Sequence, residues 1–368
     1  MKTMKKTLAL VLSLSLLLLC ALTACGSKET VENNTPTAPV SAPPSDTPTQ
    51  APSPTSGPEP KVEVNLGVLS GPTGMGAAKL MADNDAGTAK NHYNVTVETD
   101  NSAITTKLIN GEYDIAAVAT NLASTLYHKT NGGVQIAAIN TLGVLYILGR
   151  GIDDTVNSLA DLQGKTILAF GQSANPEYVL DYLLTQNGLD PDADVDIQWK
   201  GAADEVTAAM LAGEADFCML PVPAATALQA KSEGNIQPVF DLSAEWDKLE
   251  NGSQLTMGCV VVRTEFAQAH PQAVKDFLEE YEDSIAYMTD ELSLAVSSNL
   301  NPTQLLVNYG LLPSAGIAGK ALPAANLVCI TGEDMRDAIQ GYYEVLFQAD
   351  PKSIGGSIPD DAFYFLGN

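Results

Sequence analysis

Residues 111–127 read GEYDIAAVATNLASTLY, and residues 213–229 read GEADFCMLPVPAATALQ. The second stretch follows the first at a shift of 102 residues, Gly111 to Gly213, without a gap. Each reads as a glycine turn, a short apolar strand (115–118 and 217–220), a tip and the start of a helix. Gly111, Glu112, Asp114, Ala123 and Leu126 fall on Gly213, Glu214, Asp216, Ala225 and Leu228. The shift holds upstream. Ile104 and Leu108, on one helix face, match Val206 and Met210, and Val95 and Val97 match Ile197 and Trp199. The loop 71–75 falls on 173–177. Two consecutive βαβαβα units result, with a period too long for a solenoid. The reading is two α/β lobes, and two lobes imply a cleft.

The apolar run VLYILG at 144–149, followed by Arg150, has a counterpart in GCVVV at 258–262, followed by Arg263. These read as two strands that cross between lobes and act as hinges. The first lobe is then 61–149 with 258–368, and the second is 150–257.

Residues 1–24 form a targeting segment. Lys2, Lys5 and Lys6 precede an apolar run that is short for a membrane span, and Leu22-Thr23-Ala24-Cys25 resembles a bacterial lipobox. Lipid attachment at Cys25 is expected. Residues 26–60 hold nine prolines and no Leu, Ile, Met or aromatic residue, so residues 25–60 form an extended tether. Lipid, tether and body place the protein at the cell membrane, on its extracytoplasmic face. With 44 Asp and Glu against 19 Lys and Arg, the chain is acidic, which argues against nucleic acid as a partner. Cys218, Cys259 and Cys329 read as packing thiols, because no C-x-x-C or Cys/His cluster offers a metal site.

Candidate contact residues lie where apolar strands end. Ser70-Gly71-Pro72-Thr73-Gly74-Met75 follows the strand at 61–70, and glycines there permit close backbone approach. Asp100, Asn101 and Ser102 suit the N-cap of a helix at 103–110. Thr120 and Asn121 follow the third strand, and Asn140 and Thr141 follow a fourth at 134–139. In the second lobe, Gln172, Ser173, Asn175, Pro176 and Glu177 follow the strand at 165–170. Carboxyl ends of parallel strands are where open α/β sheets bind ligands. The candidate set is Thr73, Gly74, Met75, Asn101, Thr120, Asn121, Asn140, Gln172, Ser173, Asn175 and Glu177. Lys200 is the lone cation expected near that mouth. The acidic stretch 241–255, with Trp246, reads as irregular. Beyond Arg263 helices are expected at 271–281, 291–298, 302–309 and 332–346, with Tyr342, Tyr343 and Phe347 as packing aromatics.

SGPTGMGAAKLM, GEYDIAAVATNLA, GKTILAFGQSANPEYVLDYLL and MGCVVVRTEFAQAHPQAVKDFLEEY resemble segments of bacterial lipoproteins that feed ABC importers. The chain is similar to the nitrate/sulfonate/taurine and thiamine-precursor binding proteins over about 61–287. The resemblance implies a two-lobed, type II periplasmic-binding-protein-like α/β fold. It implies a non-enzymatic, monomeric protein without cofactor or metal. Such a protein captures a small solute and hands it to a permease and its ATPase. Where relatives often carry Pro-Glu-Pro after the last second-lobe strand, this chain has Pro221-Val222-Pro223, which removes a carboxylate from the mouth. Two alternatives share the fold: a thiamine-pyrimidine-synthase-like enzyme, for which the Cys-rich motif is absent, and a ligand-sensing lipoprotein. The only arginines in the body, Arg150, Arg263 and Arg336, lie away from the predicted tips, which disfavours a bidentate clamp on an acidic ligand. A small anion at a helix terminus and a neutral or cationic heterocycle beside Glu177 both stay open.

Overall fold

A computed structural model of the chain describes residues 61–151, 156–295 and 297–367. The expected signal segment at 1–24, the expected lipidation site Cys25 and the expected tether lie outside the described residues. The first lobe opens with β1 (Glu63–Leu69), α1 (Pro72–Met75), α2 (Ala78–Asp85), β2 (His92–Glu98), α3 (Asn101–Ile109), β3 (Ile115–Ala119), α4 (Thr120–Lys129) and β4 (Val134–Leu142). The second holds β5 (Leu145–Arg150), β6 (Thr166–Phe170), α5 (Asn175–Gln186), β7 (Asp196–Lys200), α6 (Ala203–Ala212), β8 (Phe217–Pro221), α7 (Ala224–Lys231), β9 (Ile236–Asp241) and α8 (Leu242–Asp247). The chain returns through β10 (Thr256–Arg263), α9 (Thr264–Ala269), α10 (Pro271–Thr289), α11 (Glu291–Leu294), α12 (Pro302–Asn308), α13 (Ala315–Ala321), β11 (Leu327–Ile330) and α14 (Gly332–Ala349).

The duplication is visible in the sheets. One runs β2-β1-β3-β10-β4-β11 and the other β7-β6-β8-β5-β9. In each, the first three strands are parallel and the crossing strand enters antiparallel beside the third. β10 lies against β3 in the first sheet, and β5 lies against β8 in the second. The repeat glycines explain themselves locally. Gly111 and Gly213, with φ of 75° and 80°, end the preceding helix in a left-handed conformation that costs other residues more. Strands 115–119 and 217–221 are buried except at their last residues, as central parallel strands require.

The structure corrects four local readings. β4 does not stop at Ile139 but runs through Asn140 and Thr141 to Leu142. Gly258 makes this possible, because a Cβ there would come within 2.6 Å of Asn140 Oδ1, and the β10–β4 register is shifted on both sides of Gly258. The stretch 241–255 is not wholly irregular: α8 is N-capped by Asp241 and buries Trp246. The loop 71–75 contains a single helical turn, α1, after Gly71 at φ 90°. The tail also contains α9, α13 and β11, which the pattern of the sequence did not announce.

One apolar cluster joins the lobes. It contains Val118 and Ile139 of the first sheet, Ile147 and Met219 of the second, and Met335, Ile339, Tyr342, Tyr343 and Leu346 of α14. These α14 residues recur at helical spacing, so one face of the tail helix is buried across the gap between lobes. Cys218 and Cys259 are buried free thiols and Cys329 is a half-buried one; burial pushes Cys218 and Cys329 up to about 12. Among the described residues no helix is long and apolar enough to cross a membrane.

Candidate ligand site

The ends of the central strands carry two buried polar groupings: Asn140 with its partners beneath α10, and a cluster of Thr120, Thr256 and Asn175 beneath the tail helix α14. On the first lobe, Asn140 is 1% exposed and donates from Nδ2 to the Thr73 carbonyl at 2.9 Å and to Tyr281 Oη at 3.0 Å. Thr141 Oγ1 donates to Asn140 Oδ1 at 3.0 Å. Thr120, at the end of β3, accepts on its carbonyl from Tyr343 Oη at 2.7 Å. Its own hydroxyl is wholly buried and has no hydrogen-bond partner. Thr256 Oγ1 is in the same condition. Gly258 pairs with Ala119, so Thr256, two residues earlier on the antiparallel β10, lies just past the ladder at the α4 start. A buried polar atom without a partner costs free energy; Thr105 Oγ1, Arg150 Nε, Ser243 Oγ and Arg336 Nε share this condition elsewhere among the described residues, so what sets Thr120 and Thr256 apart is their place at the strand ends.

The second lobe supplies Asn175, the first residue of α5. Its Nδ2 faces the Thr256 carbonyl at 3.4 Å and Met257 Sδ at 3.3 Å, and its Oδ1 accepts from Tyr342 Oη at 2.7 Å. Tyr342 and Tyr343, adjacent on α14, thus touch different lobes. Their phenols are held protonated, chiefly by burial.

The candidate residues therefore divide. Asn140 and, through its carbonyl, Thr73 belong to the separate grouping beneath α10, whereas Thr120 and Asn175 are drawn into the cluster beneath α14. Asn121 is buried beside it, its Nδ2 donating to the Ser353 carbonyl at 3.1 Å. Met75 is fully buried in the first-lobe core, so it presents no surface to the cleft. Gly74 is a packing glycine, since a Cβ would meet the Leu69 carbonyl oxygen at 2.0 Å. Asn101 is exposed at the start of α3, behind the N-cap Asp100. Gln172 and Ser173 are exposed, and the Ser173 amide donates to the Glu177 carboxylate. Glu177 thereby fills the start of α5 with its own negative charge. Lys200 is paired with Glu214 at 3.3 Å.

Sequence reasoning missed Thr256, Tyr342 and Tyr343. A threonine opening a crossing strand carries the same signal as the chosen tips. The tyrosines carried only a packing signal.

The cluster is uncharged. Arg263 pairs with Asp114 at the opposite end of the central strands β3 and β10, Arg150 donates to the Met210 carbonyl, and Arg336 pairs with Glu333. A separate hollow of about 540 Å³ lies between the α7–β9 side of the second lobe and Lys320 and Ala324 of the tail. It shares no residue with the candidate set, although Val222 of the Pro221-Val222-Pro223 tip lines it. The strand-end cluster is the better candidate, because its polar atoms are buried and converge from both lobes, whereas Lys320, Glu233 and Gln237 in the hollow are exposed.

Comparison with known proteins fits this architecture. An ABC-transporter protein from Parabacteroides distasonis superposes with a TM-score of 0.66 at 20% identity, over 83% of this chain and 99% of that one. The periplasmic aliphatic sulphonate binding protein SsuA of Escherichia coli gives 0.61 at 16% identity, over 80% and 90%. The periplasmic nitrate-binding protein NrtA of Synechocystis PCC 6803 gives 0.53 at 11%, over 76% of each chain. These likenesses establish the two-lobed type II periplasmic-binding-protein fold. No curated protein matches the sequence. The model of the family described as NMT1/THI5 like matches residues 93–291, more than half of the chain, and the chain belongs to that family.

Proposed function

We propose that the protein is the solute-binding lipoprotein of an ABC importer. It captures a small molecule between its lobes, closes about the two crossings and presents the loaded form to a permease and its ATPase. We take residues 61–149 with 258–368 as one lobe and 150–257 as the other. The supporting observation is the buried polar cluster in which α14 meets the end of β3, the start of β10 and the start of α5, with hydroxyls of Thr120 and Thr256 that have no hydrogen-bond partner among the described residues. Sulfonate and nitrate binding by the structural neighbours supports solute capture in general. The lipobox and tether support lipid anchoring at Cys25 on the outer face of the membrane, with a monomeric body.

The test is a thermal-shift screen of the full chain against nitrate, sulfonates, taurine, pyrimidines and thiamine precursors, followed by calorimetry. A hit should also reduce the radius of gyration in solution scattering of whatever fraction is open without solute. A confirmed tight ligand that leaves an open apo form unchanged in size would contradict closure. Cys25→Ala should release the protein from membranes or block its maturation, and retention with an unmodified N-terminus would refute the anchor.

A further inference from the structure

Asn175 is committed in an orientation that chemistry fixes. The Thr256 carbonyl can only accept, so the Asn175 face toward it is the Nδ2 donor. The opposite face is therefore Oδ1, an acceptor, and Tyr342 Oη donates to it at 2.7 Å. Asn175 opens α5 of the second lobe, while Tyr342 belongs to α14, which follows the first-sheet strand β11. The same ring packs against Trp246 of the second lobe, with centroids 5.7 Å apart. Tyr343, next in sequence, donates to the Thr120 carbonyl of the first lobe at 2.7 Å. One helix thus grips both lobes through adjacent phenols, both fully buried. Thr120 and Thr256, whose carbonyls these side chains engage, each also carry a buried hydroxyl without a hydrogen-bond partner among the described residues.

We infer that Tyr342 is a displaceable latch: its phenol occupies Asn175 and holds the lobes together until a solute bearing its own N–H or O–H donor replaces it. The selectivity half of this inference rests on the capture reading above; the latch half does not. The class of ligand follows from the acceptor. Nitrate and sulfonate groups carry only acceptor oxygens and cannot satisfy Asn175 Oδ1, so the site favours solutes with a hydrogen-bond donor over such anions. The Glu177 carboxylate at the start of α5 acts in the same direction.

Trp246 reports on the latch because it is fully buried and lies against Tyr342 and Tyr182. The chain has two tryptophans, so Trp199→Phe leaves Trp246 as the single indole. In that full-length background, without added solute, Tyr342→Phe and Asn175→Ala should each raise the open fraction seen by acrylamide quenching about fivefold, the effect of one lost hydrogen bond. The double variant should go no further than the larger single effect. Wild-type quenching in both single variants, with unchanged melting temperature, would overturn the latch whatever the solute screen returns. Nitrate and methanesulfonate at millimolar concentration should leave Trp246 quenching unchanged, and a saturable response to either would overturn the donor selectivity.

Discussion

Arg263 Nη2 donates to Asp114 Oδ1 at 3.0 Å, while the Arg263 backbone amide donates to the Asp114 carbonyl at 2.9 Å. The repeat reproduces half of this: the Arg150 amide donates to the Asp216 carbonyl at 2.9 Å, but Asp216 is exposed and the Arg150 guanidinium turns to Met210. Asp114 is buried and also accepts twice from Asn65, each at 3.0 Å. Asp114→Ala should therefore cost about 2–4 kcal/mol, because a half-buried guanidinium and two Asn65 donors lose their partner. Asp216→Ala should stay within about 0.5 kcal/mol. Urea midpoints of the two variants check this, and equal losses would show that the pair contributes nothing beyond the repeated turn.

Two glycines should respond in opposite directions. A Cβ at Gly258 would press on Asn140 Oδ1 at 2.6 Å, and Asn140 is pinned by Thr73, Tyr281 and Thr141. Gly258→Ala should cost about 1–3 kcal/mol through overpacking. Gly316 lies within α13 with nothing within 4 Å of its virtual Cβ. Gly316→Ala should gain about 0.5–1 kcal/mol from reduced unfolded-state freedom and better helix propensity. Melting temperatures moving the same way in both variants would contradict the packing account.

The repeat made the two sheets legible, because Gly111, Asp114 and the run 115–118 recur in register at Gly213, Asp216 and 217–220. Both crossing strands were legible for the same reason. The tail was less so. Pro313, Pro323 and several glycines break the periodicity around α13 and β11, and the short strand pairs with β4 at long sequence range. Within the site, Asn140 and Asn175 had the composition of free tips, yet both spend their amides on the protein. Nothing in a sequence shows that Gly258 lets β4 continue past Ile139. Nor does it show that a tyrosine on an apolar helical stripe carries its hydroxyl to another lobe.

Asp181, on α5, should make stability fall as pH rises. Burial, with repulsion from Glu177 and Asp192, raises its carboxyl to about 7. A carboxylic acid whose folded pKa lies above its unfolded value stabilises most below the unfolded value, near 4, and that contribution is lost as pH rises through 7. Asp181→Asn removes the penalty, so it should raise the melting temperature at pH 8 and lose that advantage towards pH 4. Glu177→Gln should lower the Asp181 pKa in the same scan. A gain for Asp181→Asn that is independent of pH would rule out titration as its cause.

Thr73 and Asn140 meet at 2.9 Å, but the two side chains do not contribute equally. Asn140 donates to the Thr73 backbone carbonyl, and no hydrogen bond to the Thr73 hydroxyl is needed for that contact. Thr73→Ala therefore leaves the bond in place and should change stability by less than about 0.5 kcal/mol. Asn140→Ala removes the donor from two acceptors, the Thr73 carbonyl and Tyr281 Oη, and the acceptor from Thr141. Tyr281 is itself almost wholly buried, so its oxygen cannot turn to water. Each group left unpaired in such a place costs about 1–3 kcal/mol, and a cavity follows the lost amide. Asn140→Ala should therefore lose at least about 2 kcal/mol, while Asn140→Asp should lose more at neutral pH than at acid pH, where the protonated acid can donate once. Urea denaturation of the three variants at two pH values checks the ranking. If Thr73→Ala proves as damaging as Asn140→Ala, the threonine hydroxyl, rather than its carbonyl, supports the cluster.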